Sequence, residues 1–206
     1  MDFHQIMEKM NDSDVILIAT GKELAYSENT KEKKEILLDS YNKIAKLVEG
    51  KRHFIITTNT DGLIYDSEIE QDKIVAPCGD IHRFQCKDAC TKEVWDEKPE
   101  CCPHCNGEVV PNVWTFKPYV EEGYLEQWQV YTRWLQYTIN KKLIILELGE
   151  GFDAPTVMRW PFEKIAYMNQ KAYLIRVGAK FSQITEELTD KATAVPIHSL
   201  EFLKEL

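Results

Sequence analysis

Five of the six cysteines lie between residues 86 and 105, and four of them form two short pairs. Cys86 and Cys90 have three residues between them, Cys102 and Cys105 have two, and eleven residues join the pairs. That spacing lets each pair bend back on itself, so that four thiolates converge on one tetrahedral zinc ion. Pro103 and Gly107 permit the tight second turn. Cys101 could replace Cys102, although Cys102 makes the tighter knuckle; His104, inside that knuckle, is expected to face solvent. The alternative is a disulfide pair in a secreted domain. The N-terminal stretch M-D-F-H-Q-I-M-E-K-M has no basic-then-apolar export pattern, so the expectation is a cytoplasmic chain with reduced thiols. Four thiolates leave zinc no open position for water, so this ion would be structural and any chemistry must lie elsewhere.

Polar residues at the ends of apolar strands are the next place to look. His53 to Asn59 reads as a buried strand followed by Asp61 and Gly62. In open parallel sheets, ligands bind at the carboxyl ends of strands, which makes Asn59 and Asp61 candidate binding groups. The competing reading is a turn in which both side chains bond only their own backbone.

Those residues need a scaffold. Val15 to Thr20 is a short, β-branched apolar run ending at Gly21, as expected of a buried parallel strand. Glu32 to Glu49 has Leu37, Tyr41, Ile44, Ala45 and Val48 at helical spacing and stops at Gly50. The charges from Lys31 to Glu35 fit a solvated first turn. Lys73 to Cys78 reads as a shorter strand ending at Gly79. Val109 to Phe116 is extended, with Pro111 favouring an edge. Tyr124 to Ile139 is a helix whose aromatic stripe suits a core. Leu143 to Leu148 is a strand before Gly149-Glu150-Gly151, Pro161 to Asn169 a short helix, Ala172 to Val177 a strand before Gly178, and Leu200 to Leu206 a closing helix. Strands alternating with helices predict an α/β fold: a doubly wound parallel, Rossmann-like sheet over residues 1–82 and 117–206, with a small zinc ribbon inserted at 83–116. A glycine-rich dinucleotide fingerprint and a P-loop are both missing from the sequence.

The 206 residues suffice for a sizeable core. A net charge of −9 and a pI of about 5.1 argue against nucleic acid as a partner. Apolar runs such as Leu143 to Leu146 are too short to span a membrane.

In this order, these stretches resemble the sirtuins, NAD-dependent protein lysine deacylases. T-T-N-T-D-G-L (Thr57 to Leu63) is similar to the family's Thr-Gln-Asn-x-Asp-x-Leu, and the cysteine pairs sit where its structural zinc sits. V-V-P-N-V-W-T-F (Val109 to Phe116) is similar to the segment leading into its acyl-peptide groove. Leu143 to Val177 is similar to its last nucleotide-binding unit. The resemblance covers the chain from about Ile16 onward. It implies structural zinc on Cys86, Cys90, Cys102 and Cys105. It also implies NAD or ADP-ribose held by Ala19, Thr20, Gly21, Asn59, Asp61, Gly149, Glu150, Gly151 and Arg176, and an acylated or ADP-ribose-accepting protein as partner.

The departures are equally specific. The family's Gly-Ala-Gly-x-Ser loop is Ala19-Thr20-Gly21-Lys22-Glu23 here, and its Pro-Asp-Phe-Arg segment has no counterpart. The family's Gln before Asn is Thr58. Its catalytic histidine falls on Cys78, its Gly-Thr-Ser on Gly149-Glu150-Gly151, and the late Asn that follows a strand most nearly on Arg176. An ordinary thiol has a pKa of about 8.5 and is a poor base at neutral pH, unless its thiolate is tuned. His82 lies four residues on, roughly 13 Å in extended chain, and could serve only if a turn shortened that path. Three readings follow. The first is an enzyme that cleaves the nicotinamide bond of NAD, for deacylation or for ADP-ribose transfer. The second is a nucleotide- or protein-binding module without turnover. The third is a zinc-stabilised interaction domain.

Overall fold

The computed structural model describes residues 3–27 and 31–206. Met1 and Asp2, which begin the N-terminal stretch read for an export signal, lie outside them, as do the side chains of Lys31 and Glu32 in the charge run; Lys33, Lys34 and Glu35 are exposed.

In chain order the elements are α1 (Phe3–Asn11), β1 (Val15–Thr20), α2 (Lys31–Leu47), β2 (Arg52–Thr57), β3 (Ile74–Val75), β4 (Gly79–Cys86), β5 (Val94–Trp95), β6 (Val109–Val113), α3 (Glu122–Tyr137), β7 (Leu143–Leu148), α4 (Arg159–Met168), β8 (Tyr173–Val177), β9 (Ala192–Val195) and α5 (Ser199–Lys204). The main sheet has six strands in the order β3-β2-β1-β7-β8-β9, and every pairing in it is parallel. This is a doubly wound order, and it reverses between β1 and β7.

Alternation along β1 builds the two faces, because successive strand side chains point to opposite sides. Ile16 and Ile18 pack with Leu37, Tyr41 and Ile44 of α2, Ile6 and Met10 of α1, and Phe202 of α5. Val15, Leu17 and Ala19 pack with Tyr131 of α3 and Phe162 and Ala166 of α4. Of the aromatic stripe of α3, Tyr131 is buried in the core, its ring centroid 5.3 Å from those of both Phe54 and Trp128, while Tyr124, Trp128 and Leu135 are half-buried against it. Each such fully buried side chain contributes about 1.5–3 kcal/mol.

A second sheet, β5-β4-β6, is antiparallel and carries the cysteines. Pro111 sits in β6, an edge strand, where its missing N–H costs no ladder bond. Gln85 and Asn112 tie this sheet to the segment leading into α3. Asn112 Nδ2 donates to Gln85 Oε1 (2.7 Å) and to the Val120 carbonyl (2.8 Å), and the Val120 amide donates to Gln85 Oε1 (2.9 Å).

Four elements escape the sequence pattern, the shortest being the two-residue β5. In α1 only Ile6 and Met10 are buried, too sparse a stripe to stand out. The partly exposed Ala-Thr-Ala-Val of β9 does not read as a strand. Gly79 begins β4 as well as following the short β3, and the pairing of β4 with β6 slips between Asp80 and Phe84. That slip interrupts the alternation by which a strand is read.

Candidate functional site

The four paired cysteines converge. Their sulfur atoms all lie within 4.8 Å of one another, with Cys86 to Cys105 at 3.7 Å and Cys90 to Cys102 at 3.5 Å. Zinc–sulfur bonds of about 2.3 Å in a tetrahedron place sulfurs about 3.8 Å apart, so the cluster fits a zinc ion. Cys86 and Cys102 are fully buried against Val109, Phe84 and Trp95. Cys101 lies outside the cluster, exposed and 4.0 Å from Asn106 Oδ1. The exposed ring of His104 meets Glu93, with Nε2 to Oε2 at 2.9 Å.

The second candidate site lies at the carboxyl edge of the main sheet. A cavity of about 330 Å³ is lined by Thr58, Asn59, Asp61, Cys78, Trp114 and Asp153, among others. Asn59 is positioned by β2 and α2 together: its Nδ2 donates to the Gly21 carbonyl (3.0 Å) and to Tyr41 Oη (3.2 Å), and its backbone N–H donates to Thr57 Oγ1 (3.1 Å). Asp61 makes the local turn, Oδ1 accepting from the Leu63 amide (2.9 Å). It also reaches across, Oδ2 accepting from the Tyr26 amide (2.8 Å). Burial pushes the Asp61 carboxyl up, against the pull of those two amides.

Cys78 is 2% exposed. Burial, helped by the nearby Glu150 carboxylate, pushes its thiol up to about 12, so it is neutral at physiological pH. His82 lies elsewhere. The β4 irregularity turns it outward, with Nδ1 3.0 Å from Asp80 Oδ1, into a neighbouring cavity of about 830 Å³ that shares Tyr26, Asp61 and Ile81 with the first.

The remaining sequence-predicted positions divide. Ala19 and Thr20 are fully buried inside β1. Gly151 is half-buried, and Gly21, Gly149 and Glu150 are buried at the switch point. Arg176 is inside β8, not after it; the residue that follows the strand is Gly178. The Arg176 side chain is 1% exposed. Its Nε and Nη2 donate to Glu147 and its Nη1 to Glu163 Oε1 (2.7 Å), turned into the α4 layer away from the cavity that holds Asn59. The expectation that it touches a nucleotide came from aligning an interior strand residue with one that follows the strand.

Two groups that the sequence did not single out complete the edge. Tyr41 bridges Asn59 and the Leu24 carbonyl, to which its hydroxyl donates (3.1 Å). Glu23 spans the crevice: Oε1 accepts from the Ala179 amide (2.8 Å) and Oε2 from the Ser199 amide (2.7 Å) and Oγ (2.8 Å). An acid directly after the glycine turn of the first strand was the available signal for Glu23. Among the described residues, no helix is long and apolar enough to cross a membrane.

No family model matches the chain. A protein ADP-ribosyltransferase of Staphylococcus aureus is 25% identical over 178 residues, covering 74% of this chain and 55% of the relative. A "Probable bifunctional ADP-ribose hydrolase/ADP-ribosyltransferase" of Fusarium oxysporum f. sp. cubense is 26% identical over 155 residues, 63% of this chain and 26% of the relative. The chain thus spans about half the length of the first relative and about a quarter of the second. Among solved structures, Sir2Tm bound to a propionylated peptide superposes with a TM-score of 0.65 at 14% identity, covering 100% of this chain and 97% of the other. A Sir2 complex with a peptide and NAD+ gives 0.64 at 16%, with the same coverage. The chain has the sirtuin fold.

Proposed function

We propose that this chain is a divergent sirtuin-like, NAD-dependent ADP-ribosyltransferase, releasing nicotinamide and passing ADP-ribose to a protein acceptor, with a structural zinc ion on Cys86, Cys90, Cys102 and Cys105. The observation that carries it is the pairing of Asn59 with a buried, neutral Cys78 in one cavity. In the resembling family, lysine deacylation needs a base for a ribose hydroxyl, and the position of that base holds a thiol that stays protonated. Glycosidic cleavage does not need it: the electron pair of the broken C–N bond goes to the ring nitrogen, and nicotinamide leaves uncharged. NAD would supply that activated glycosidic bond.

This chain's residues would do the rest. Asn59, fixed by Gly21 and Tyr41, presents its amide to the ribose, and Asp61, fixed by Tyr26 and Leu63, presents its carboxyl to the nicotinamide side. The names of both curated relatives support transfer of ADP-ribose, and the Sir2 structure with NAD+ supports the ligand. Four reduced thiols also suit a cytoplasmic setting. At the nicotinamide end, one cavity lined by Asn59, Asp61 and Cys78 supports this ligand. At the diphosphate end, Glu23 and Glu150 cover the glycines, which favours a second reading as a protein-interaction module of the same fold without turnover.

Asn59→Ala is expected to weaken ADP-ribose binding by about 1–3 kcal/mol, the cost of one lost buried hydrogen-bonding group. Titration calorimetry checks it, with the melting temperature as control, because the Gly21 and Tyr41 bonds are lost too. A folded variant that binds ADP-ribose as the parent does would remove Asn59 from the site.

A further inference from the structure

The turn that carries Asn59 and Asp61 also supports a polar pair, Asp80 and His82, which faces the larger of the two neighbouring cavities. The irregularity in β4 falls between Asp80 and Phe84 and takes His82 out of the strand's alternation. Asp80 Oδ1 holds the residue at two points, accepting from the His82 amide (2.8 Å) and lying 3.0 Å from Nδ1. An ionised carboxylate only accepts, so the ring proton of a neutral His82 sits on Nδ1 and Nε2 keeps its lone pair. Asp80 is 9% exposed, whereas the His82 side chain is 69% exposed. The pair is thus an imidazole in the open, oriented by a carboxylate that is not.

Two contacts fix the pair to the turn after β2. The Ile81 amide donates to the Thr60 carbonyl (2.9 Å). Gly62, at φ +72°, lies against the pair: a Cβ there would be 2.5 Å from His82 Nδ1 and 2.9 Å from Asp80 Oδ1. A side chain at position 62 would displace the ring as well as strain the turn.

The imidazole opens into the cavity of about 830 Å³, which shares Tyr26, Asp61 and Ile81 with the cavity that holds Asn59. Two ion pairs on its walls compensate themselves, Lys34 with Asp66 (3.3 Å) and Arg83 with Asp96 (2.9 Å). Asp61 and Asp80 remain as the excess charge, so the space suits a neutral or cationic group better than an anion.

We propose that His82, oriented by Asp80, is the base that takes the proton of an acceptor hydroxyl, and that the acceptor is a hydroxyl side chain in a basic stretch of protein. The proposal rests on reading the Asn59 cavity as a site of NAD cleavage. The acceptor oxygen bonds to the ribose carbon as the bond from that carbon to nicotinamide breaks, its electron pair going to the ring nitrogen. The hydroxyl proton passes to His82 Nε2. His82 is then a catalytic residue and Asp80 a positioning residue. The proton concerned is the acceptor's, not the ribose proton whose base position holds Cys78. A carboxylate acceptor would need no base and would meet two acids, and an arginine holds its proton too tightly for an imidazole to remove.

The test supplies NAD and small nucleophiles that need no protein recognition. Choline carries a hydroxyl beside a cation, neohexanol is its uncharged isostere, and azide attacks without losing a proton. Nicotinamide release and the mass of the ADP-ribose adduct are read for each. The unmodified protein should transfer to choline several-fold faster than to neohexanol. His82→Gln, at an exposed position, should lose about 10²-fold or more with choline, and at least about tenfold less than that with azide. The choline rate should rise with pH as the imidazole loses its second proton, and His82→Gln should lack that rise. Nitrogen NMR of the protein without nucleotide should place the proton of the neutral His82 ring on Nδ1, and Asp80→Asn should move part of it to Nε2 while lowering the choline rate. Equal losses with choline and azide in His82→Gln, or no loss with choline, overturn the base and leave NAD cleavage standing; so does a ring proton found on Nε2 in the unmodified protein. Choline no faster than neohexanol overturns the basic acceptor. No nicotinamide release with any nucleophile, azide included, overturns the NAD reading and this proposal with it.

Discussion

Cys105→Ala should leave the protein without its metal and unfold the second sheet. The apolar support of that sheet is thin: Cys86, Cys102 and Val109 are its buried cluster, with Phe84 and Trp95 packed against them. Two of those three buried residues belong to the four-cysteine cluster that would hold the zinc. Removing one thiolate opens the tetrahedron, and the metal-binding energy, about 10–16 kcal/mol in isolated zinc-binding peptides, is the folding energy of such a unit. The loss should be several kcal/mol at least. It should spread through Gln85 and Asn112 to the approach of α3, because those side chains bridge the two parts. Elemental analysis should give one zinc per chain before the substitution and none after, with protease cleavage appearing between β4 and β6. Protein purified without chelator, free of zinc and equally resistant to protease, would rule out the metal.

Cys78→His should raise lysine deacetylation from a trace by about 10²–10⁴-fold, the usual contribution of a general base. The parent thiol is neutral because burial and Glu150 both oppose its ionisation, which disposes of a tuned thiolate as base. His82 does not substitute, since its ring faces the neighbouring cavity beside Asp80. Steady-state assay with an acetylated peptide and NAD reads the gain. No gain in a folded variant that still binds ADP-ribose would place the defect elsewhere, foremost in the missing Pro-Asp-Phe-Arg cover.

Much of the scaffold was legible because buried parallel strands are short, uninterrupted and apolar. Val15–Thr20 and Leu143–Leu148 have the limits their apolar runs suggest. The cysteine spacing pointed to the cluster because the geometry of a tetrahedral site is local to two turns. Asn59 and Asp61 stood out as polar residues ending a buried strand. What the sequence hid is contact made between distant loops. Glu150 drew attention by its position after β7, but nothing local revealed that its carboxylate lies on Gly21, or that Glu23 crosses to Ser199. Arg176 misled for the same reason: its partners Glu147 and Glu163 come from a neighbouring strand and a helix, so its burial cannot be read from β8 alone.

The most direct test incubates the zinc-loaded chain with NAD and candidate acceptor proteins at about pH 7 and follows free nicotinamide together with acceptor mass. The account predicts nicotinamide release matched by an acceptor gain of one ADP-ribose, while an acetylated peptide stays intact. Acetyl-lysine consumed at ordinary deacetylase rates, or ADP-ribose bound tightly while no nicotinamide appears with any acceptor, would contradict it.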